Sequence, residues 1–140
     1  MRQWGAAMED GLAGWHRVVR DNDPDALEGL LAEDAVFLSP IVHTPQVGRA
    51  KAGLYLRLAL GLLNNGAFRY VGEWYAPGSA VLEFEGEIDG VTINGVDMIS
   101  WNEAGRITRF KVMIRPLKAI NLMHERMRMM LEAAGTIRAA

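Results

Sequence analysis

The chain has 140 residues and a mass of 15.5 kDa, enough for one domain with its own core and too little for two. Half the residues are hydrophobic and 23% are charged, which disfavours disorder; a net charge of -2 with scattered Lys and Arg disfavours a nucleic-acid partner. The absence of cysteine excludes a disulfide scaffold, thiolate metal ligation and a cysteine nucleophile.

Residues 1–10 carry neither a basic leader nor a long apolar stretch, so a cytoplasmic protein is expected. Met8, Leu12, Trp15 and Val19 recur at helical spacing and predict a first amphipathic helix that ends near Asp21 to Asp23. Asp23 as N-cap and Pro24 in the first turn predict a short second helix through Leu31, closed by Glu33 and Asp34, before a brief strand over 35–38. Pro40, Thr44 and Pro45 oppose helix, so residues 39–47 read as a rim loop. A third helix is predicted over 48–64, with Leu54, Leu58 and Leu62 on one stripe. Its apolar run over 54–63 contains Arg57 and is too short for a bilayer, so no membrane partner is expected.

Four extended segments follow, over 68–75, 80–88, 91–101 and 106–115. Pro77-Gly78, Asp89-Gly90 and Glu103-Ala104-Gly105 separate them with turn chemistry that joins antiparallel neighbours. In the second segment Leu82 and Phe84 oppose Glu83, Glu85 and Glu87; in the last, Phe110, Val112 and Ile114 oppose Arg109, Lys111 and Arg115. The glutamates and the Arg109/Lys111 set are predicted to pair across the sheet. After Pro116 a last helix is predicted over 117–134, with Ile120, Met123, Met127, Met130 and Leu131 on its apolar side and Gly135 as its stop. The order predicts an α+β roll, with three N-terminal helices on a curved antiparallel sheet and a C-terminal helix, as a single domain over 1–140.

Asp97 breaks this pattern. In an extended strand it shares a face with Val91, Ile93, Gly95, Ile99 and Trp101, the face better suited to burial. A carboxylate there must be paired, hydrated or kept neutral, because an unpaired charge in an apolar site costs several kcal/mol. A pocket is one reason to keep it, and a structural carboxylate tied to backbone N–H groups or to Trp15 Nε1 is the plainer alternative. His43 in the rim loop is a second candidate, since imidazole exchanges protons near neutral pH; an exposed loop histidine is its plainer reading. His16 and His124 have no Asp, Glu or His at metal-site spacing on the same face, so no metal is expected. Gly48 and Gly53 do not follow a strand as a phosphate-cradling loop would, so no nucleotide or other cofactor is expected.

Several short pieces together resemble the NTF2-like superfamily, also described as SnoaL-like or ketosteroid-isomerase-like. They are Asp23-Pro24-Asp25-Ala26-Leu27, residues Leu31-Ala32-Glu33-Asp34-Ala35-Val36-Phe37 with Ser39-Pro40, then Gly48-Arg49, and Gly95-Val96-Asp97 followed by Trp101-Asn102-Glu103-Ala104-Gly105-Arg106-Ile107. The resemblance covers nearly the whole chain and implies a cone-shaped roll, a homodimer formed through the outer sheet face, and a small apolar molecule as partner. It implies a fold more strongly than an activity, since this fold hosts isomerases, cyclases, epoxide hydrolases and accessory domains.

In the ketosteroid isomerase branch a protonated aspartic acid and a tyrosine stabilise an enolate while a second aspartate moves the proton. Asp97 falls at the oxyanion-stabilising aspartic acid. The tyrosine position of the first helix carries Trp15, the general-base position before the loop proline carries Ser39, and a neighbouring pocket tyrosine falls at Leu56, beside Tyr55. Steroid isomerisation is therefore not expected. The Asp-Arg-Asp set of the related epoxide hydrolases is missing too, since Gly95 and Val112 stand in two of its places. Cyclases of similar fold use a single pocket aspartate as acid and base. The resemblance thus implies a proton-transfer isomerase or cyclase for a small apolar carbonyl compound, with Asp97 and His43 as catalytic residues. Ligand-contacting walls are expected from Trp15, Ser39, Tyr55, Leu82 and Phe84, and from Ile99, Trp101, Phe110, Val112 and Ile114. The alternative is a non-catalytic small-molecule-binding homodimer of the same fold.

Overall fold

Asp89 and Gly90 both adopt positive φ, 50° and 80°, and so close a two-residue hairpin between β4 (Ser79–Ile88) and β5 (Val91–Trp101). Gly78 and Gly105, also at positive φ, turn the chain from β3 (Arg69–Ala76) into β4 and from β5 into β6 (Ile107–Arg115). These four strands form the predicted antiparallel meander. The computed structural model describes residues 5–135 and, in the first helix, side chains from Leu12 onward. Met8, predicted to join that helix's apolar stripe, lies outside the described side chains.

The chain begins with α1 (Gly5–Asp21), a 3-10 turn (Pro24–Ala26) and a single α-turn, α2 (Leu27–Leu30). Asp23 sits at the N-cap position of the 3-10 turn with Pro24 after it, but its side chain makes no capping hydrogen bond. The predicted second helix stops earlier than expected, because Leu31 already begins β1 (Leu31–Leu38). Glu33 and Asp34 do not close a helix: they are exposed residues where the pairing of β1 with β6 jumps from Leu31 opposite Ile107 to Val36 opposite Arg109. That irregularity breaks the alternation that marks a strand. After the rim loop come a two-residue strand β2 (Gln46–Val47), then α3 (Arg49–Leu63), the meander, and α4 (Leu117–Ala133), which Gly135 follows at positive φ.

The result is an α+β fold on one six-stranded sheet, ordered β2-β1-β6-β5-β4-β3. Two features differ from the expectation. β1 precedes α3, so helices and strands interleave; and β1 pairs with β6 in parallel, so the sheet is mixed. The parallel pairing is possible because α3 and strands β3 to β5 lie between β1 and β6 and supply the long crossover that parallel neighbours need. The helices cover the face carrying Leu82, Phe84, Ile99 and Phe110, all buried. On α3 the buried stripe is Ala52, Leu56, Leu60 and Leu63, displaced from the predicted Leu54, Leu58 and Leu62, which are only partly buried. In a helix apolar nearly all round, the partner surface and not the periodicity selects the buried face.

On the uncovered face the glutamates of β4 do not meet Arg109 or Lys111, because β5 lies between β4 and β6. Glu85 pairs instead with Arg69 of β3 at 2.6 Å, and Asn94 of β5 links Glu83 to Arg115. Among the described residues no helix is long and apolar enough to cross a membrane.

Candidate functional site

β5 alternates as its sequence dictates: Ile93, Gly95, Asp97, Ile99 and Trp101 point inward and are buried. Asp97 is 5% exposed, flanked on the sheet by Leu82 of β4 and Val112 of β6. One residue pair away, Gly95 leaves room for the Phe84 ring; a Cβ there would lie 2.5 Å from the Met113 carbonyl oxygen and 2.6 Å from Phe84 Cζ.

Asp97 accepts a hydrogen bond at 2.5 Å from the Tyr70 hydroxyl on β3, through Oδ2. The Tyr70 oxygen in turn accepts a 2.8 Å hydrogen bond from Trp15 Nε1 on α1. Trp15 is thus joined to Asp97 through Tyr70 and not directly. Burial pushes the Asp97 carboxyl up to about 7, against the lowering effect of the Tyr70 hydrogen bond. Burial first, and the Asp97 charge second, hold the Tyr70 phenol well above its ordinary value. Asp97 Oδ1 has no described partner. Asp97 itself is one of the residues that line the neighbouring cavity.

That cavity is a slot between the sheet, α1, α3, α4 and the start of the rim loop. The slot has a free volume of about 40 Å³ within a cleft of about 560 Å³. Of the expected wall residues, Trp15, Ser39, Phe110, Val112 and Ile114 line it. Tyr55, Leu82, Phe84, Ile99 and Trp101 do not: the last four are buried in the core, and Tyr55 packs against Phe37 with ring centroids 6.4 Å apart. The remaining walls include Phe37, Ile41, Leu60, Met123 and Met127. Asp97 is the one titratable side chain among the lining residues. Ser39 Oγ accepts a hydrogen bond from the Ile41 N–H, which leaves its hydroxyl proton to donate.

His43 lies exposed in the rim loop and does not line the slot. His16 pairs with Glu73 at 3.4 Å, and His124 is exposed. Among the described residues no group of three or more His, Asp or Glu is placed to hold a metal ion. Tyr70 is the residue that the sequence reading missed. Its signal was present, since Phe68 and Tyr70 alternate toward the face of Phe84, but the irregularity between Tyr70 and Gly72 hides the phase of the strand.

No family model matches the chain, and no curated protein matches it. Solved structures do. A steroid delta-isomerase from Pseudomonas aeruginosa is 30% identical, with 98% of this chain and 100% of that one covered at a TM-score of 0.89. An uncharacterised protein with a cystatin-like fold from Silicibacter pomeroyi is 28% identical, with 89% and 87% covered and a TM-score of 0.81. An NTF2-like protein of unknown function from Mesorhizobium loti shares the fold at 17% identity, with 83% and 97% covered and a TM-score of 0.71. With an inward aspartate on the third strand of the meander, the chain belongs to the NTF2-like superfamily, in its SnoaL-like, ketosteroid-isomerase-like group.

Proposed function

We propose that the protein is a small SnoaL-like enzyme that moves a proton on an apolar carbonyl compound, with Asp97 as its single acid and base. The observation that carries this reading is that Asp97 alone among the slot-lining residues titrates, and that burial brings it to about 7. A carboxyl half-ionised near neutral pH can act in both directions. As the carboxylate it takes the α-proton of a bound ketone, the C–H electron pair passing into the enolate. As the acid it returns that proton to another carbon, or, where the enolate carbon attacks a second carbonyl of the same molecule to close a ring, gives it to the alkoxide oxygen left by the opened C=O π bond. The Ser39 hydroxyl is available as a donor to the enolate oxygen.

The apolar walls favour an apolar guest, and the small free volume favours a slender one, since an engineered cavity that holds benzene is about 150 Å³. Met123 and Met127 are flexible side chains that can yield as a guest enters. A four-ring steroid, the substrate class that the Pseudomonas relative is named for, is larger than this slot admits as it stands. The cone shape belongs to this same reading, as a chamber narrowing toward Asp97.

A non-catalytic binding protein is the second reading, favoured by the absence of any second titratable group among the lining residues. The two are separated by following α-proton exchange into small cyclic ketones and enones in deuterated water. Exchange that requires Asp97 and is lost in Asp97→Asn supports the enzyme. Saturable binding without exchange supports the binder, and neither binding nor exchange would sink both.

We also propose that two copies pack through the uncovered sheet face. Trp74, Met113 and Val47 are each about half exposed or more there, with Val81, Val96 and Met98 between them. The acidic side chains of β4 and the basic ones of β6 flank β5 on either side. A two-fold axis along β5 therefore lays each acidic row over the basic row of the second copy, and Glu85 and Arg115 share one cross-strand row through Asn94.

A further inference from the structure

We infer that Trp15 and Tyr70 form a one-way hydrogen-bond relay that reserves Asp97 Oδ1 as the only oxygen through which a proton enters or leaves the carboxyl, with Tyr70 as a positioning residue. This rests on the reading of Asp97 as the acid and base, and it assigns to Trp15 and Tyr70 roles that Asp97 alone does not require. Indole N–H is a donor and never an acceptor, so the bond from Trp15 Nε1 to the Tyr70 oxygen can run in one direction only. With that oxygen accepting, the phenol must spend its own proton elsewhere, and Asp97 Oδ2 stands 2.5 Å away.

No other acceptor competes for it among the described residues. Glu73 is the other carboxylate near enough to act on Tyr70, but it is held by the Tyr75 hydroxyl and by His16, whose ring meets Tyr70 only edge-on at 5.7 Å between centroids. Leu82 and Val112, the side chains opposite Asp97 on the sheet, carry no charge. Oδ2 therefore accepts from Tyr70 whether Asp97 is ionised or neutral, and the neutral acid must carry its proton on Oδ1. A tyrosine at position 15 could donate or accept and would leave the direction open. The tryptophan fixes it.

This directional acid also sets the ligand class: the group that meets Oδ1 must accept a hydrogen bond from the neutral form, as a carbonyl or enolate oxygen does, or lose a proton to the ionised form, as an α-carbon does. A ligand presenting an ammonium group has no second anion in the slot to hold it.

The test needs no substrate. With 13C-labelled aspartate, the Asp97 carboxyl is titrated by NMR in the unaltered protein and in the variants Tyr70→Phe, Trp15→Phe and Tyr75→Phe. Removing the phenol proton removes a bond that favours the ionised form, so Tyr70→Phe should raise the Asp97 midpoint by about one pH unit. Trp15→Phe should raise it by less, because the phenol then donates without the reinforcement of the indole. Tyr75→Phe should leave it in place, because His16 still holds Glu73. Were Tyr70 merely packing, its loss would admit water and lower the midpoint; an unchanged or lowered value in Tyr70→Phe overturns the relay. In the unaltered protein the Trp15 indole N–H resonance should shift with the same midpoint as Asp97, and a flat indole response overturns the relay even if a variant fails to fold. A midpoint below about 4 in the unaltered protein defeats the acid and base reading instead, while the variant shifts still decide the relay.

Discussion

The Phe84 ring occupies the space that a Cβ on Gly95 would need, and this one relationship supports the wall behind Asp97. Phe84 stacks on Phe68 at 5.1 Å, and Phe68 meets Tyr70 edge-on at 5.0 Å, so the glycine indirectly sets the angle from which the phenol approaches Oδ2. Because one of the blocking atoms is a backbone oxygen, the site cannot yield by a rotamer change. Gly95→Ala is expected to cost about 2 kcal/mol or more in urea unfolding, as overpacked cores do. A loss under about 0.5 kcal/mol would contradict this packing.

Asp97 should impose a pH dependence on folding. Its folded midpoint of about 7 stands above its ordinary value of 3.8, so between these values the folded state holds a proton that the unfolded chain has lost. Stability from this group is therefore greatest below about pH 4, falls as pH rises toward 7, and is level above that. The whole fall is roughly 4 kcal/mol. Asp97→Asn removes the slope, so the variant should match the parent near pH 4 and exceed it near pH 8. Denaturant midpoints across that range measure it, and a parent that gains stability relative to the variant as pH rises would contradict the sign.

Val112 sits beside Asp97 on the sheet and lines the slot. Val112→Ile adds one methylene to a free volume of about 40 Å³. It is expected to abolish binding of a small cyclic ketone followed by ligand-observed NMR, at a stability cost below about 1.5 kcal/mol. Undiminished binding would place the ligand elsewhere.

Dimerisation through the outer face is open to a charge swap. Arg115→Glu should weaken self-association about fivefold, in line with the roughly 1 kcal/mol that an unfavourable charge pair costs. Adding Glu85→Arg should restore it. Sedimentation velocity reads both, and a monomer at high micromolar concentration in the unaltered protein would contradict the arrangement.

The meander was legible because its turns carry Gly and Asp where positive φ is needed, and because alternation in β4 and β5 is unbroken. The inward aspartate followed from phase alone. β1 was shortened in the reading because exposed Glu33 and Asp34 interrupt its alternation, and the α3 stripe was displaced because leucines surround that helix. Tyr70 was hidden for a different reason: its role arises from an approach across β4 to a residue 27 positions away, which no local pattern encodes. The division of the aromatic residues into slot wall and filled core, with Phe110 on one side and Phe84 on the other, depends likewise on how the helices settle over the sheet.

The most direct test is the ionisation of Asp97 itself, read from its 13C carboxyl resonance between pH 3 and 9 in the unaltered protein. A midpoint within one unit of 7 is the expected result, with the neutral acid and the carboxylate both populated at neutral pH. A midpoint at or below the ordinary carboxylate value of 3.8 would mean a permanently ionised, solvated or otherwise paired group, and proton transfer through Asp97 would have to be abandoned.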